Sequence, residues 1–248
     1  YATRINVTIE KDGTVEIRDD GRGIPVDYKA ETGMSTLTQV LVKPHAGGKF
    51  GGDASAYSSS GGLHGIGLKC TNAFSTILEV EVRRHGLIFY QRFENGGIPV
   101  TPVEIYTKSV KESNKAGVID AHTKLIVSGK KEIATALEIN HMRLAVEANP
   151  EQPNGSTFRF RPDRSLFARE MEWPNPTKFV PWDSERLSTR FRQIAHLYPG
   201  VRIEYLDLRF KEDEPIIFFS KRGLVEYIEY LNEDVEPLHK PILFREST

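Results

Sequence analysis

Ile5, Val7 and Ile9 alternate with polar neighbours, Asp12-Gly13 supplies a tight turn, and Val15 and Ile17 resume the alternation. That period belongs to a strand with one buried face, so the chain is predicted to open on a β-hairpin. Leu37, Val40 and Leu41 fall at helical spacing within 35–42, and the apolar positions of 63–74 suggest a second helix entered through glycines. Between them, 44–62 is rich in Gly, Ser and Ala with few apolar anchors, and reads as a mobile loop. Strands are predicted over 77–82 and 87–93, joined at His85-Gly86, and again at Phe158 and Phe160 after Gly155. Asp183 is a good N-cap for a helix carrying Leu187, Phe191, Ile194, Ala195 and Tyr198 and ended by Gly200. Val201, Ile203 and Tyr205 resume a strand, and Leu224, Tyr227, Ile228 and Leu231 suggest a last helix.

Hairpin-joined strands with helices collected between them predict an α+β fold. Its form is a two-layer α/β sandwich, a mixed and mostly antiparallel sheet with helices on one face.

Composition narrows the function classes. The 248 residues carry a formal net charge of −1, which supplies no global basic field for gripping DNA. The single cysteine, Cys70, excludes an intrachain disulfide framework and suits a reducing compartment, so a cytoplasmic setting is expected. No apolar run approaches the length of a bilayer crossing, and no membrane partner is expected. The histidines are scattered without ligand spacing, so a zinc site is not expected.

Two glycine clusters carry the candidate chemistry. In Asp19-Asp20-Gly21-Arg22-Gly23-Ile24-Pro25, glycines beside a strand end let another group approach the backbone closely. A carboxylate there can accept a hydrogen bond from an exocyclic amine such as adenine's, an interaction of roughly 1.5–3 kcal/mol. A solvated Asp-Gly turn is the alternative. The second cluster, Ser60-Gly61-Gly62-Leu63-His64-Gly65-Ile66-Gly67, leads into a helix, whose unpaired N–H groups suit phosphates. Its glycine order is not the dinucleotide fingerprint, and Lys49 is followed by Phe50 rather than the Ser or Thr of a P-loop.

The order DDGRGIP, HAGGKF (residues 45–50), SGGLHGIG (residues 60–67) and Gly155-Ser156-Thr157 resembles the ATPase chains of bacterial type II DNA topoisomerases, the gyrase B and topoisomerase IV B family. That family belongs to the GHKL superfamily, which also holds histidine kinases and a heat-shock chaperone, and the resemblance implies its Bergerat ATPase fold. It implies that Asp19 takes the adenine amine, that Gly21 and Gly23 shape the base pocket, and that Ile24, Pro25 and Val40 form its apolar wall. Lys49, Tyr57 and the run Gly61, Gly62, Leu63, His64, Gly65, Ile66 and Gly67 would belong to a lid over the phosphates. Ser156 or Thr157 would support an adenine-side water network, while Arg22 and Arg84 would border the pocket, Arg84 as an aminocoumarin contact.

The implied ligands are ATP and Mg2+. The implied partners in an intact enzyme are DNA, a gyrase A-like protein and a second copy of the chain. The family's catalytic glutamate and magnesium-binding asparagine precede the position of Tyr1, so residues 1–248 are expected to form a fragment that is monomeric and inactive alone. A non-hydrolysing ATP-binding module and a histidine-kinase-type ATP-binding domain are the alternatives. The expected organisation is an ATP-binding domain over 1–220, with a family-atypical insertion at 103–154, and the start of a transducer domain at 221–248.

Overall fold

Among the described residues of the computed structural model, eleven strands join in a single sheet. The structure describes residues 2–29, 31–44, 65–106, 115–119, 126–127, 136–139, 142–145, 152–167, 182–210 and 214–243. The predicted hairpin is β1 (Arg4–Ile9) and β2 (Val15–Asp19), Gly13 takes the positive φ its turn requires, and β3 (Tyr28–Lys29) and β4 (Met34–Ser35) pair with each other apart from the main sheet. Strands β5 (Ser75–Arg84) and β6 (Leu87–Glu94) turn at His85-Gly86, where both residues have positive φ, as a two-residue hairpin of matching twist demands. Then come β7 (Ile98–Pro99), β8 (Val103–Tyr106), β9 (Lys115–Ile119), β10 (Ile126–Val127), β13 (Gly155–Pro162), β14 (Arg202–Asp207) and β15 (Ile216–Phe218). Across the sheet the order is β10-β9-β8-β6-β5-β13-β2-β1-β14-β15, with β7 beside β6, and every neighbouring pair is antiparallel except β1 with β14.

One rung shows how the sequence sets the faces. Tyr205, Val7, Ile17, Phe158, Val80 and Gln91 are successive register partners across six strands. All but Gln91 bring apolar surface to one side, and Gln91 accepts there from Thr38 Oγ1 at 2.8 Å. The helices lie on this side. Helix α1 (Thr36–Val42), capped by the Ser35 hydroxyl, buries Leu37 and Leu41 against Leu78, Val80, Val82, Phe89 and Phe93. Helix α2 (Gly67–Ala73) is tied to α1 by Asn72 Nδ2, which donates to the Leu41 carbonyl at 3.2 Å. Helix α4 (Ser184–Leu197) has the predicted Asp183 cap and packs Leu187, Phe191, Ile194 and Ala195 on Val7, Ile9, Ile203 and Tyr205. The odd-numbered partners on the opposite face are polar: Glu79, Glu81 and Arg83 of β5 alternate with its core residues. There Tyr90 donates to Glu79 at 2.8 Å and Arg92 pairs with the same carboxylate at 3.3 Å.

The architecture is the expected one, with four differences, the first being that β3, β4, β7 and β15 are not among the predicted strands. The second helix begins at Gly67 instead of 63, because Gly65 has φ +58, which a right-handed helix does not accept. Within 103–154, β8, β9 and β10 extend the main sheet, while β11 (Ala136–Ile139) and β12 (Met142–Ala145) form a separate hairpin containing the predicted Leu137, Met142 and Leu144. Helix α3 (Arg164–Phe167), a single turn, is not signalled by any apolar period. The last helix, α5 (Leu224–Leu231), falls where the pattern puts it. The predicted loop at 44–62 lies outside the described residues apart from Pro44.

Candidate functional site

The rung beside the one traced above runs Phe218, Ile203, Ile5 and Asp19 on one side and Ser156, Val82, Phe89 and Ile105 on the other. Asp19 and Ser156 meet one step beyond the last β2–β13 pair, Thr157 with Arg18. A carboxylate and a hydroxyl therefore stand together in an otherwise apolar row on the helix-covered face. Ser156 is 3% exposed. Isolated polar groups in such a row are unfavourable for folding unless something pairs with them.

The DDGRGIP segment wraps this position. Asp19 Oδ1 accepts from the Gly21 amide at 2.8 Å, so one carboxylate oxygen is oriented by its own loop. A Cβ at Gly21 would lie 2.9 Å from that oxygen. Gly23 has φ +73, and a Cβ there would come within 2.8 Å of the Arg83 carbonyl and 3.0 Å of the Arg84 and Val82 side chains. The loop runs against the end of β5 with no room for a larger residue. Arg84 fixes it there by donating from Nη1 to the Gly23 carbonyl at 3.0 Å. Ile24 turns inward onto the core around Leu37 and Val82, while Arg22 and Pro25 are exposed and Val40 is half-buried on α1.

Asp20, next to Asp19, does different work. Its carboxylate accepts from the Thr3 and Arg4 amides at 2.7 and 2.9 Å and from the Thr3 hydroxyl at 2.6 Å. Partial burial pushes its pKa up, but these donors outweigh that and hold it below the usual carboxylate value. Asp20 anchors the start of β1, leaving Asp19 as the acid of the pair on the inner face.

The structure thus gathers Asp19, Gly21, Gly23, Ile24, Arg84 and Ser156 at the ends of β2, β5 and β13. It does not bring Thr157 to them. Thr157 points to the opposite face, where its hydroxyl accepts from Arg83 Nη1 at 2.7 Å. Gly65, Ile66 and Gly67 lead into α2, with Lys69 Nζ bonded to the Gly65 carbonyl at 2.7 Å and open space around Gly67. Lys49, Tyr57, Gly61, Gly62, Leu63 and His64 lie outside the described residues. Among the described residues no group of three His, Cys, Asp or Glu side chains gathers that could hold a metal ion. No described helix is long and apolar enough to cross a membrane.

Nothing in the local pattern singles out Arg83. Alternation with Val80 and Val82 assigns it to the open face, where an arginine is expected to be solvated, yet it is 5% exposed. Only the glycine at 155, at the opening of a strand, hints at a close approach.

The family described as "Histidine kinase-, DNA gyrase B-, and HSP90-like ATPase" matches residues 1–166. The chain belongs to this family. The curated relatives it matches include the DNA gyrase B protein of Thermotoga maritima, 38% identical over 98% of this chain and 29% of the relative. The DNA topoisomerase IV B protein of Streptococcus pneumoniae is 33% identical over 100% of this chain and 30% of the relative. The chain therefore spans under a third of the length of these relatives. Among solved structures, the 43K ATPase domain of Thermus thermophilus gyrase B, in complex with an aminocoumarin, matches with a TM-score of 0.60 at 22% identity, covering 100% of this chain and 49% of that one. The topoisomerase IV ATP-binding domain of Francisella tularensis matches equally, with a TM-score of 0.60 at 21% identity and 100% and 50% coverage. The sandwich expected from the motifs is the fold of those domains.

Proposed function

We propose that residues 1–220 are the ATP-binding domain of a type II DNA topoisomerase of the gyrase B or topoisomerase IV B kind. The observation that carries this reading is the Asp19–Ser156 pair set in an apolar rung beneath a glycine loop that Arg84 holds closed. The Asp19 oxygen left over from Gly21 is the acceptor for the adenine amino group, and Ser156 supports it. Gly21 and Gly23 let the flat base lie against backbone, with Ile24, Pro25 and Val40 as the apolar wall and Arg22 and Arg84 at the rim. The phosphates are assigned to the glycine run at 61–67 with Lys49 and Tyr57. Mg2+ is assigned to travel with the triphosphate and neutralise its charge, and no described side chain is given to it.

In the full-length protein the bound ATP would power passage of one DNA duplex through another, together with a gyrase A-like protein and a second copy of this chain. Hydrolysis needs a general base, and no described residue is assigned that role. Residues 221–248 are assigned to the start of a following domain. In support, Leu224, Ile228, Tyr230 and Leu231 of α5 are all more than 40% exposed.

Calorimetric titration with ATP and GTP analogues tests the base pocket. Asp19→Asn removes the charged acceptor and is expected to weaken adenine nucleotide binding roughly tenfold, equivalent to about 1.4 kcal/mol. Equal affinity for the two bases in the unaltered protein, or an indifferent Asp19→Asn variant, would sink the assignment.

A further inference from the structure

Asp19 is the last residue of β2, and its backbone carbonyl needs a partner at the strand end. The partner is a side chain from two strands away: Arg83 Nη2 of β5 donates to the Asp19 carbonyl at 3.2 Å. β13 lies between those strands, and Gly155 is what lets the guanidinium reach across it. Gly155 has φ +148, and a Cβ there would overlap the Asp19 carbonyl oxygen and stand 2.8 Å from Arg83 Nη2. Two residues further along β13, Thr157 Oγ1 accepts from Arg83 Nη1 at 2.7 Å. The guanidinium is gripped at both ends.

This arrangement does not favour folding. Arg83 is 5% exposed, and its Nε has no hydrogen-bond partner among the described residues. Desolvation works against its charge, as does Arg18 nearby, while Glu81, Asp19 and Glu16 favour it. A buried cation held so incompletely is a poor stabilising device. What it does accomplish is to fix the backbone of the one residue assigned to choose the base.

We propose that Arg83 is a positioning residue for base selection: by holding the Asp19 backbone through the opening at Gly155, it sets the direction in which the Asp19 carboxylate faces an adenine amino group. The proposal rests on the adenine-pocket reading of Asp19. Arg83 acts from the opposite face of the sheet and is given no contact with nucleotide. Thr157, which the sequence suggests for a water network, acts through Arg83 instead.

The test is the ratio of affinities for non-hydrolysable ATP and GTP analogues in the full-length protein, with thermal melting to confirm folding. Arg83→Gln is expected to lower the ratio roughly two- to tenfold, the range of one hydrogen bond. Arg83→Lys should recover part of it. ADP affinity should fall with ATP affinity, because the base end is disturbed and the phosphate end is not. Thr157→Val, close in shape, should lower the ratio less and in the same direction. An unchanged ratio in Arg83→Gln, alongside a lost preference in Asp19→Asn, overturns the positioning role and leaves the pocket standing. An unchanged ratio in Asp19→Asn removes the pocket and this proposal with it. If Arg83→Gln does not fold, Thr157→Val decides, and an unchanged ratio there overturns the role.

Discussion

Arg209 and Asp207 form a two-point ion pair, Nε to Oδ1 at 2.8 Å and Nη2 to Oδ2 at 2.6 Å, with side chains only 6% and 4% exposed. Arg209 Nη2 also donates to the Trp182 carbonyl at 2.8 Å and to Ser184 Oγ at 3.1 Å, so the pair ties the end of β14 to the start of α4. Burial pushes the Asp207 pKa up, but the Arg209 donors and the Ser184 and Tyr205 hydroxyls outweigh it and hold it at about 2. The folded value lies below the ordinary 3.8, so the stabilisation is complete above that pH and is lost as pH falls toward about 2. Its size is on the order of 2 kcal/mol. Asp207→Asn leaves the Arg209 charge buried without its counter-ion and is expected to destabilise by about 3–5 kcal/mol at neutral pH. It should also flatten the acid limb of stability against pH. Urea melts across that range measure both effects, and an acid limb unchanged by the substitution would refute the account.

Gly23→Ala should separate pocket damage from general strain. The left-handed φ alone is unfavourable by roughly 1–2 kcal/mol for a residue with a Cβ, and here the Cβ also meets the Arg83 carbonyl and the Val82 and Arg84 side chains. Gly200 has φ +89 but nothing within 4 Å of an added Cβ. Both variants are expected to melt lower, and only Gly23→Ala to lose adenine nucleotide affinity, by roughly tenfold or more. Equal affinity in the two would argue that the loop does not border the base.

Asn72→Ala removes the amide that joins α2 to the last turn of α1. The Leu41 carbonyl is left without that donor, and the expected loss of stability is about 1–3 kcal/mol, read from denaturant midpoints. A loss below about 0.5 kcal/mol would show that the two helices are held by apolar packing alone.

Lys49 rests on the HAGGKF motif. If it meets the terminal phosphate, Lys49→Ala in the full-length protein weakens a triphosphate analogue more than ADP. Equal weakening of both, measured by titration, removes Lys49 from the site.

Strands are legible in the sequence because their period is short and their faces are sharply divided: Leu78, Val80 and Val82 against Glu79, Glu81 and Arg83 leaves one choice of inside. The Asp183 cap is equally plain and accepts from the amide three residues on, whereas Ser35, which caps α1 in the same way, is not singled out by the apolar spacing. The parallel pairing of β1 with β14 is not legible, since no local pattern links residues 198 apart, as Asn6 and Glu204 are. Nor can spacing tell Asp19 from Asp20: one is aimed at the helix-covered face and the other at the Thr3 and Arg4 amides by register alone. Arg83 and Arg84 pose the same problem. Adjacent in a strand, they face opposite ways, and which of them is buried depends on Gly155, which is distant in sequence.

That parallel pairing has a consequence for the order in which the molecule assembles. The core around Leu37, Val80 and Phe89 takes its buried residues from between 26 and 105, with Phe158 and Phe160 of β13 packed against it. The core around Val7, Ile203 and Tyr205 joins the beginning of the chain to residues two hundred positions later. Contacts so distant close slowly and depend on everything between. On a ribosome, where the chain emerges from its first residue, β1 and β2 must wait for β13 and β14. Asp19, at the end of β2, meets Ser156 only once β13 has emerged. The proposed nucleotide pocket therefore forms late, and a chain interrupted before residue 155 would hold part of the sheet beside an unfinished base site.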